Sequence, residues 1–407
     1  MNQIIIQKYG GSSVANAERI QRVANHIIEQ KKKGFNPVVV VSAMGDSTDH
    51  LIELAKSITA TPSSREMDML LSTGEQISIS LLAMAIESKG YKAISLTGYQ
   101  CGIQTDPYYS KAKINEIITD RILSEINEDK IVIVAGFQGI SKNGDITTLG
   151  RGGSDTTAVA LAVALNAKLC EIYTDVKGIY TADPRSVKEA CLIQTISYDE
   201  MLELAKLGAK VMHPRSVELA RKNNMKLVVR SSFELDHPGT IIKEVKCMEK
   251  AQVRGVTLDD NIVRLTVSSV PDKPGIAYKM FSALAAQNVH IDMIIQNLNH
   301  NDLNDISFTI PKDELAHVKP TIDAFIKEVE ANELLIKTDV AKLSIVGTGI
   351  TSDATIASGL FGALYQLGIN IEMISTSEIK ISCIIDEKQA TEALSEIHNF
   401  FELNKVI

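Results

Sequence analysis

Basic excess, paired cysteines and long apolar runs are all missing from this 407-residue chain. Asp and Glu number 50 against 42 Lys and Arg, a formal net charge of −8, which leaves no electrostatic footprint for nucleic acid. The one basic run, Lys31-Lys32-Lys33, closes an amphipathic stretch before Gly34, where cations offset a helix dipole. Five cysteines, at positions 101, 170, 191, 247 and 383, form no C-x-x-C pair and keep no metal-ligand spacing with histidine. A reduced, cytoplasmic protein with no resident metal site is therefore expected. The first residues run into a strand pattern without the basic start and apolar core of a secretory leader, and no membrane span is expected.

What is present is ordinary globular material. Hydrophobic residues make up 45% and charged residues 23%, which excludes wholesale disorder, and the length exceeds what one core serves. Up to about residue 245, short apolar runs (4–7, 37–42, 93–96, 131–135, 169–174 and 227–230) alternate with helical patterns. Runs of Val and Ile without polar alternation read as strands buried on both faces. The expectation is a three-layer α/β domain over 1–245 with a mainly parallel sheet, its ligands gathered at the carboxyl ends of the strands.

Beyond a polar link at 243–250, an internal repeat appears at an ungapped offset of 80. Val289-His290-Ile291-Asp292-Met293-Ile294 lies over Ile369-Asn370-Ile371-Glu372-Met373-Ile374, and Phe281, Ala283 and Leu284 lie over Phe361, Ala363 and Leu364. Each copy, 262–335 and 343–407, reads as a ferredoxin-like βαββαβ unit. Units this small are expected to share or pair their sheets.

The richest segment is Thr147-Thr148-Leu149-Gly150-Arg151-Gly152-Gly153-Ser154-Asp155-Thr156-Thr157, which opens an apolar helix. Free N–H groups and the dipole at such a start attract an anion, and Arg151 adds a planar, two-pronged grip on a carboxylate or phosphate. Capping alone accounts for Ser154 and Asp155, but not for Arg151 among three glycines. Lys8-Tyr9-Gly10-Gly11-Ser12-Ser13 follows a strand, and its amides suit phosphate oxygens with Lys8 beside them; a structural turn reads equally well. Ser42-Ala43-Met44-Gly45 repeats that plan, with Thr48 as either a helix cap or a substrate contact. In Leu71-Ser72-Thr73-Gly74-Glu75, Glu75 reads as a carboxylate at a helix start, placed there for the dipole or for a ligand ammonium. The loop from Thr174-Asp175 through Tyr180 to Asp183-Pro184-Arg185 suits a nucleoside or an ordinary surface, and Lys210 is a second phosphate candidate.

These motifs, with Gly208-Ala209-Lys210, stand in the order seen in aspartate kinases of the amino acid kinase family, and the repeat resembles tandem ACT domains. The likeness covers nearly the whole chain; Tyr9 stands where the family commonly has Phe, and Ser12 where it has Thr. The resemblance implies an amino acid kinase fold followed by two ACT domains. It also implies transfer of the γ-phosphoryl group of ATP to the side-chain carboxylate of L-aspartate, with Mg²⁺ assisting, as the first step toward lysine, threonine and methionine. By the same resemblance Lys8, Asp155 and Lys210 are catalytic, with Asp155 orienting the lysines. Tyr9, Gly10, Gly11, Ser42, Thr174, Asp175, Tyr180, Arg185 and Val211 join Lys8 and Lys210 around ATP. Thr48, Glu75, Arg151, Gly152, Gly153 and Ser154 meet aspartate, Arg151 at a carboxylate and Glu75 at the ammonium.

In the repeat, Asp272, Gly275, Ala277, Gln296, Asn370, Ile371, Ser377 and Glu378 match effector positions, for lysine, threonine or both. The second copy carries Ser352-Asp353-Ala354-Thr355 where relatives often have a Pro-Gly pair, which weakens the case for an effector in that turn. Expected assemblies are a homodimer or an α2β2 complex with a short form begun near Met248. The rival readings are another amino acid kinase and a catalytically silent amino acid sensor.

Overall fold

A computed structural model describes residues 3–209, 211–245, 252–287, 289–298, 303–350 and 352–405. Lys210 and Met248 lie outside the described residues. The chain divides into two compact units: the first holds the chain up to Tyr180 and resumes at Leu192, and the second holds Thr181–Cys191 with the C-terminal part.

The first unit runs β1 (Gln3–Tyr9), α1 (Ala17–Lys32), β2 (Phe35–Val41), α2 (Ser47–Ile58), α3 (Ser64–Glu87), β3 (Ala93–Leu96), β4 (Ile103–Thr105), β5 (Ile114–Ile117), α4 (Asp120–Asn127), β6 (Ile131–Ala135), β7 (Gln138–Ser141) and β8 (Ile146–Thr148). It continues through α5 (Gly153–Ala164), β9 (Leu169–Thr174), β10 (Thr195–Ile196), α6 (Tyr198–Lys206), α7 (Pro214–Lys222), β11 (Leu227–Ser231) and β12 (Thr240–Ile242). Eight strands form the main sheet in the order β10-β12-β11-β9-β1-β2-β6-β3, and only the β11–β12 pairing is antiparallel. Val38 to Val41 and Ile131 to Ala135 are buried because helices cover both faces. Ile20, Val23 and Ile27 of α1 and Ile79, Leu82 and Ile86 of α3 pack with Tyr9, Val39 and Val41 on one face. The apolar α5, buried over its first ten residues, covers β1, β2 and β9. A smaller sheet, β5-β4-β7-β8, stands beside the main one.

Helix α3 departs from the sequence expectation. Ser72, Thr73 and Gly74 do not precede a helix; they lie inside one that began at Ser64. The hydroxyls of Ser72 and Thr73 donate back to the carbonyls of Met69 (2.8 Å) and Leu70 (2.7 Å), so residues that often end helices are absorbed by this one. The resulting 24-residue helix is long and apolar enough to cross a membrane, contrary to the expectation of no such segment. Half of its apolar window is buried in the fold, and it carries Asp68 and Glu75 inside, so it is a core helix.

The second unit contains β13 (Gln252–Asp259), β14 (Ile262–Pro271), α8 (Ile276–Ala286), β15 (Ile294–Leu298), β16 (Leu303–Pro311), α9 (Leu315–Val329) and β17 (Leu334–Lys337). The second copy follows as β18 (Val340–Thr348), α10 (Ala354–Gln366), β19 (Met373–Ser377), β20 (Lys380–Asp386) and α11 (Ala390–Phe400). Its two sheets, β15-β16-β14-β17 and β13-β18-β20-β19, share one strand plan. The second sheet takes its outer strand, β13, from before the first copy, pairing it antiparallel with β18. Thus the first copy is inserted between that strand and the rest of the second. Ile262, Met293, Val340, Met373 and Ile384 form a cluster joining residues of both copies. Equivalent acids cross between copies: Glu372 pairs with Arg264 and Lys337, and Asp292 with the buried Lys342. Ala182 and Val187 of Thr181–Cys191 sit in the core of the second copy with Val256, Leu343 and Leu403, and Thr181 Oγ1 lies 2.9 Å from His398 Nε2.

Candidate active site

Parallel register sets the candidate residues along one edge. Tyr9 pairs with Val41 and Tyr173, Val41 with Ala135, and Thr174 with Ser231, so the carboxyl ends of β11, β9, β1, β2 and β6 finish together. The glycines after β1, Ser42 after β2 and Asp175 after β9 are therefore neighbours across that edge.

Strand alternation divides β1 between two jobs. Tyr9 faces the α1 layer, fully buried, stacked on Tyr173 at 4.7 Å with its hydroxyl 2.7 Å from His26 Nδ1. Its side chain is thus enclosed in the core, and only its backbone reaches the edge, where its carbonyl accepts from Ser42 N (3.1 Å). Lys8 faces the α5 layer, and its Nζ lies 2.6 Å from Asp155 Oδ1. Beneath the edge, buried Glu171 accepts from Gln7 Nε2 (2.9 Å) and Tyr173 Oη (3.2 Å) and pairs with Arg230 (3.1 Å), tying β9 to β1 and β11.

The capping expectation for α5 is corrected. Gly152 is the N-cap, with φ of +68°, and no side chain among the described residues caps the helix. A Cβ on Gly152 would stand 2.1 Å from His213 Cβ, so both the left-handed backbone and the close approach require glycine. Ser154 and Asp155 lie inside the first turn, buried. The sequence pattern looked like a cap because Ser and Asp favour that place; the glycine turn shifts the start two residues earlier. Arg151 projects from this turn, exposed, and makes no ion pair among the described residues.

Glu75 also stands elsewhere than expected, near the middle of α3. A Cβ on Gly74 would come 2.9 Å from Ala43 Cβ, and this close approach brings Glu75 Oε1 within 3.1 Å of Ala43 N, beside Ser42. Its Oε2 is buried without a hydrogen-bond partner among the described residues, and burial raises the carboxyl to about 7. Thr48, in the first turn of α2, is half-buried.

Of the expected phosphate amides, that of Gly10 donates to Tyr173 O (3.3 Å), while Gly11 opens a short 3₁₀ turn. Thr174 Oγ1 donates to Asp175 (3.0 Å), and Tyr180 and Val211 are half-buried in the same unit. Arg185 belongs to the second unit, where it is 82% exposed and pairs with Asp183 at 2.7 Å. Among the described residues, no group of three His, Cys, Asp or Glu side chains could hold a metal ion.

In the second unit, Asp272, Gly275, Ala277 and Gln296 line one pocket of about 400 Å³ with Asn304. Gly275, with φ of +93°, starts α8 there. Asn304 Nδ2 donates to Asp272 (2.9 Å), whereas its buried Oδ1 has no partner among the described residues. In the second copy, Asp353 caps α10 by accepting from Thr355 N (2.9 Å) and Oγ1 (2.6 Å), so that turn satisfies itself. Asn370 and Ile371 precede β19, Ser377 ends it with a buried hydroxyl that has no partner among the described residues, and Glu378 is exposed in the turn beyond. Two residues the sequence reading passed over, Asp68 and Arg215, flank the Arg151 turn; an acid inside an apolar helix and an Arg after His-Pro carry no local signal of this.

Residues 3–231 match the model of the amino acid kinase family, and residues 265–324 and 343–401 match an ACT domain model. The chain is 50% identical over 402 residues to an aspartokinase of Bacillus sp. (strain MGA3), covering 98% of each. It is 51% identical over 401 residues to an aspartokinase of Geobacillus stearothermophilus, covering 98% of this chain and 97% of that one. Among solved structures it resembles E. coli aspartokinase III in complex with aspartate and ADP, with a TM-score of 0.83, 25% identity, and 98% and 99% of the two chains covered. The same enzyme in complex with lysine and aspartate superposes with a TM-score of 0.76 at 25% identity, over 97% of this chain and 99% of that one.

Proposed function

This chain belongs to the amino acid kinase family, among its aspartokinases, and from that premise we propose how its site works. The enzyme transfers the γ-phosphoryl group of ATP to the β-carboxylate of L-aspartate. A carboxylate oxygen bonds to the γ-phosphorus as the bond from that phosphorus to the β,γ-bridging oxygen breaks, giving 4-phospho-L-aspartate and ADP. A carboxylate is already a nucleophile near pH 7, so the site has to align the partners and neutralise charge rather than remove a proton.

The observation that carries this reading is the Lys8–Asp155 pair, set 2.6 Å apart where β1 meets the start of α5. Lys8 places a cation at the moving phosphoryl oxygens, and Asp155 fixes its direction. Lys210 supplies a second cation. The Gly11 amide and Ser42 meet phosphate oxygens, and Thr174, Asp175, Tyr180 and Val211 bound the nucleotide. Arg185, in the second unit, is a nucleotide candidate by the resemblance alone. Mg²⁺ would enter with the nucleotide and would neutralise phosphate charge, and Asp175, an exposed carboxylate at that edge, would help to hold it.

Aspartate takes the other side. Arg151 forks onto its carboxylate beside the helix start of Gly152, Gly153 and Ser154, Thr48 stands near, and the Glu75 carboxylate receives the ammonium. In the ACT pair, the pocket at Asp272, Gly275, Ala277 and Gln296 receives an amino acid effector, lysine or threonine, its carboxylate at the first amides of α8. Asn370, Ile371, Ser377 and Glu378 form the weaker second set. The enzyme works in the cytoplasm in amino acid biosynthesis, as a homodimer or with a short form begun near Met248; an intact-mass spectrum separates these assemblies.

An ATP-dependent hydroxamate assay over aspartate, glutamate and N-acetylglutamate tests the reading. Acyl hydroxamate is expected from aspartate. Product from another acid alone points to a different amino acid kinase, and none at all points to a silent sensor.

A further inference from the structure

Two side chains that make none of the proposed substrate contacts grip the segment that presents Arg151. Asp68, on α3, is fully buried. Its carboxylate accepts from Thr148 N (2.7 Å) and Oγ1 (2.8 Å), and from Ser110 N (2.9 Å) and Oγ (3.1 Å). Arg215, half-buried on α7, reaches the same two loops with the opposite polarity. It donates to Leu149 O (3.0 Å) and Ala112 O (2.8 Å). The loops are joined directly as well, by Ala112 N to Thr148 O (2.9 Å).

An anion therefore collects the N–H and O–H donors of Thr148 and Ser110, and a cation collects the carbonyls of Leu149 and Ala112, one and two residues further on. No ion pair joins the two charges among the described residues: Asp68 is desolvated for amides and hydroxyls, and Arg215 for backbone carbonyls. Burying a carboxylate and a guanidinium in this way costs more than apolar packing of a loop would. What the arrangement secures is position: Thr148 and Leu149 run straight into Gly150-Arg151-Gly152. Arg151 is itself exposed and makes no ion pair among the described residues, so its place depends on the backbone that carries it.

We propose that Asp68 and Arg215 are positioning residues for substrate recognition, which set the place of the Arg151 turn and through it the affinity for aspartate. This inference rests on the reading of Arg151 as the carboxylate grip. Neither residue touches substrate, and neither acts on the nucleotide.

Steady-state kinetics of Asp68→Asn, Arg215→Ala, Arg215→Lys, Arg151→Ala and the double variant D68N/R151A test it. Asp68→Asn and Arg215→Ala are expected to raise the aspartate KM roughly tenfold while the KM for ATP moves less than about twofold. Arg215→Lys keeps the charge but loses the fork, and falls between wild type and Arg215→Ala. In the R151A background Asp68→Asn adds little further, because the effect passes through Arg151. A wild-type aspartate KM in both variants overturns the inference. So does an equal loss on ATP, or an Asp68→Asn effect that persists in full without Arg151. Should Asp68→Asn fail to fold, Thr148→Val, which deletes one hydroxyl donor, takes its place with a smaller KM rise of about two- to threefold expected; no rise there or in Arg215→Lys overturns the inference. If Arg151→Ala leaves aspartate kinetics unchanged, the underlying reading of Arg151 fails, an outcome distinct from the failure of the clamp.

Discussion

Lys8 Nζ and Asp155 Oδ1 stand 2.6 Å apart, one at the end of the first strand and the other in the first turn of α5, with side chains only 12% and 10% exposed. An ion pair this enclosed is oriented by the two elements that carry it. Its geometry survives only if both hold still, which is what a charge aimed at a moving phosphoryl group requires.

Removing either member should act on turnover. Lys8→Ala is expected to lower kcat by roughly 10²- to 10³-fold with much smaller changes in the aspartate KM. Asp155→Asn leaves the lysine present but unaimed and costs less. Wild-type turnover in Lys8→Ala removes this lysine from the mechanism.

Glu75 gives the site a pH signature. Its carboxyl is raised from 4.5 to about 7 by burial, so aspartate, which needs the ionised form at its ammonium, binds better as pH rises through that value. Glu75→Gln should flatten this dependence and raise the aspartate KM. The stability effect runs the other way. A carboxyl with a raised folded-state pKa contributes stability below 4.5 that is lost as pH rises to about 7. Glu75→Gln therefore stabilises by up to about 3 kcal/mol at pH 8 and by less at pH 5. Denaturant titrations giving equal gains at both pH values reject the assignment.

His26 predicts an acid limb. Burial holds its imidazole down from 6.5 to about 4, neutral beside the Tyr9 hydroxyl. The folded state resists a proton that the unfolded chain accepts, so stability present above pH 6.5 is lost as pH falls toward 4, by up to about 3 kcal/mol. In His26→Gln the melting temperature should fall less steeply over that interval. An unchanged slope would falsify the account.

The pocket around Asn304 should be the seat of regulation. Lysine or threonine is expected to give binding heat and inhibition in calorimetry and kinetics. Gln296→Ala, which removes a lining side chain, should weaken both by roughly tenfold. An absence of heat and inhibition with either amino acid, alone or combined, removes the effector reading.

Much of this was legible before any coordinates. The Val and Ile runs carried the parallel sheet because strands covered on both faces have no reason to alternate, and the offset of 80 carried the paired ACT units because equal folds bury equal positions. Glu75 was legible as a residue type but not as a location. Ser72, Thr73 and Gly74 read locally as a helix start, whereas in the fold the two hydroxyls bond back to the preceding turn and Gly74 packs close on Ala43 inside a longer helix. Ser154 and Asp155 likewise read as caps, until the left-handed Gly152 moved the boundary and left Asp155 to Lys8.

By itself, then, the sequence determined the layer plan, the repeat and the types of side chain that phosphoryl transfer to an amino acid needs, because periodicity and local turn chemistry are short-range properties. Tertiary structure alone decided three further things. It brought β13 from before the first ACT copy to complete the sheet of the second. It placed Thr181–Cys191 in the second unit. And it closed Asp68 and Arg215 around the turn that presents Arg151. Each joins residues tens to more than a hundred positions apart, where burial and hydrogen bonding across the fold, rather than any neighbour in the chain, set the partner.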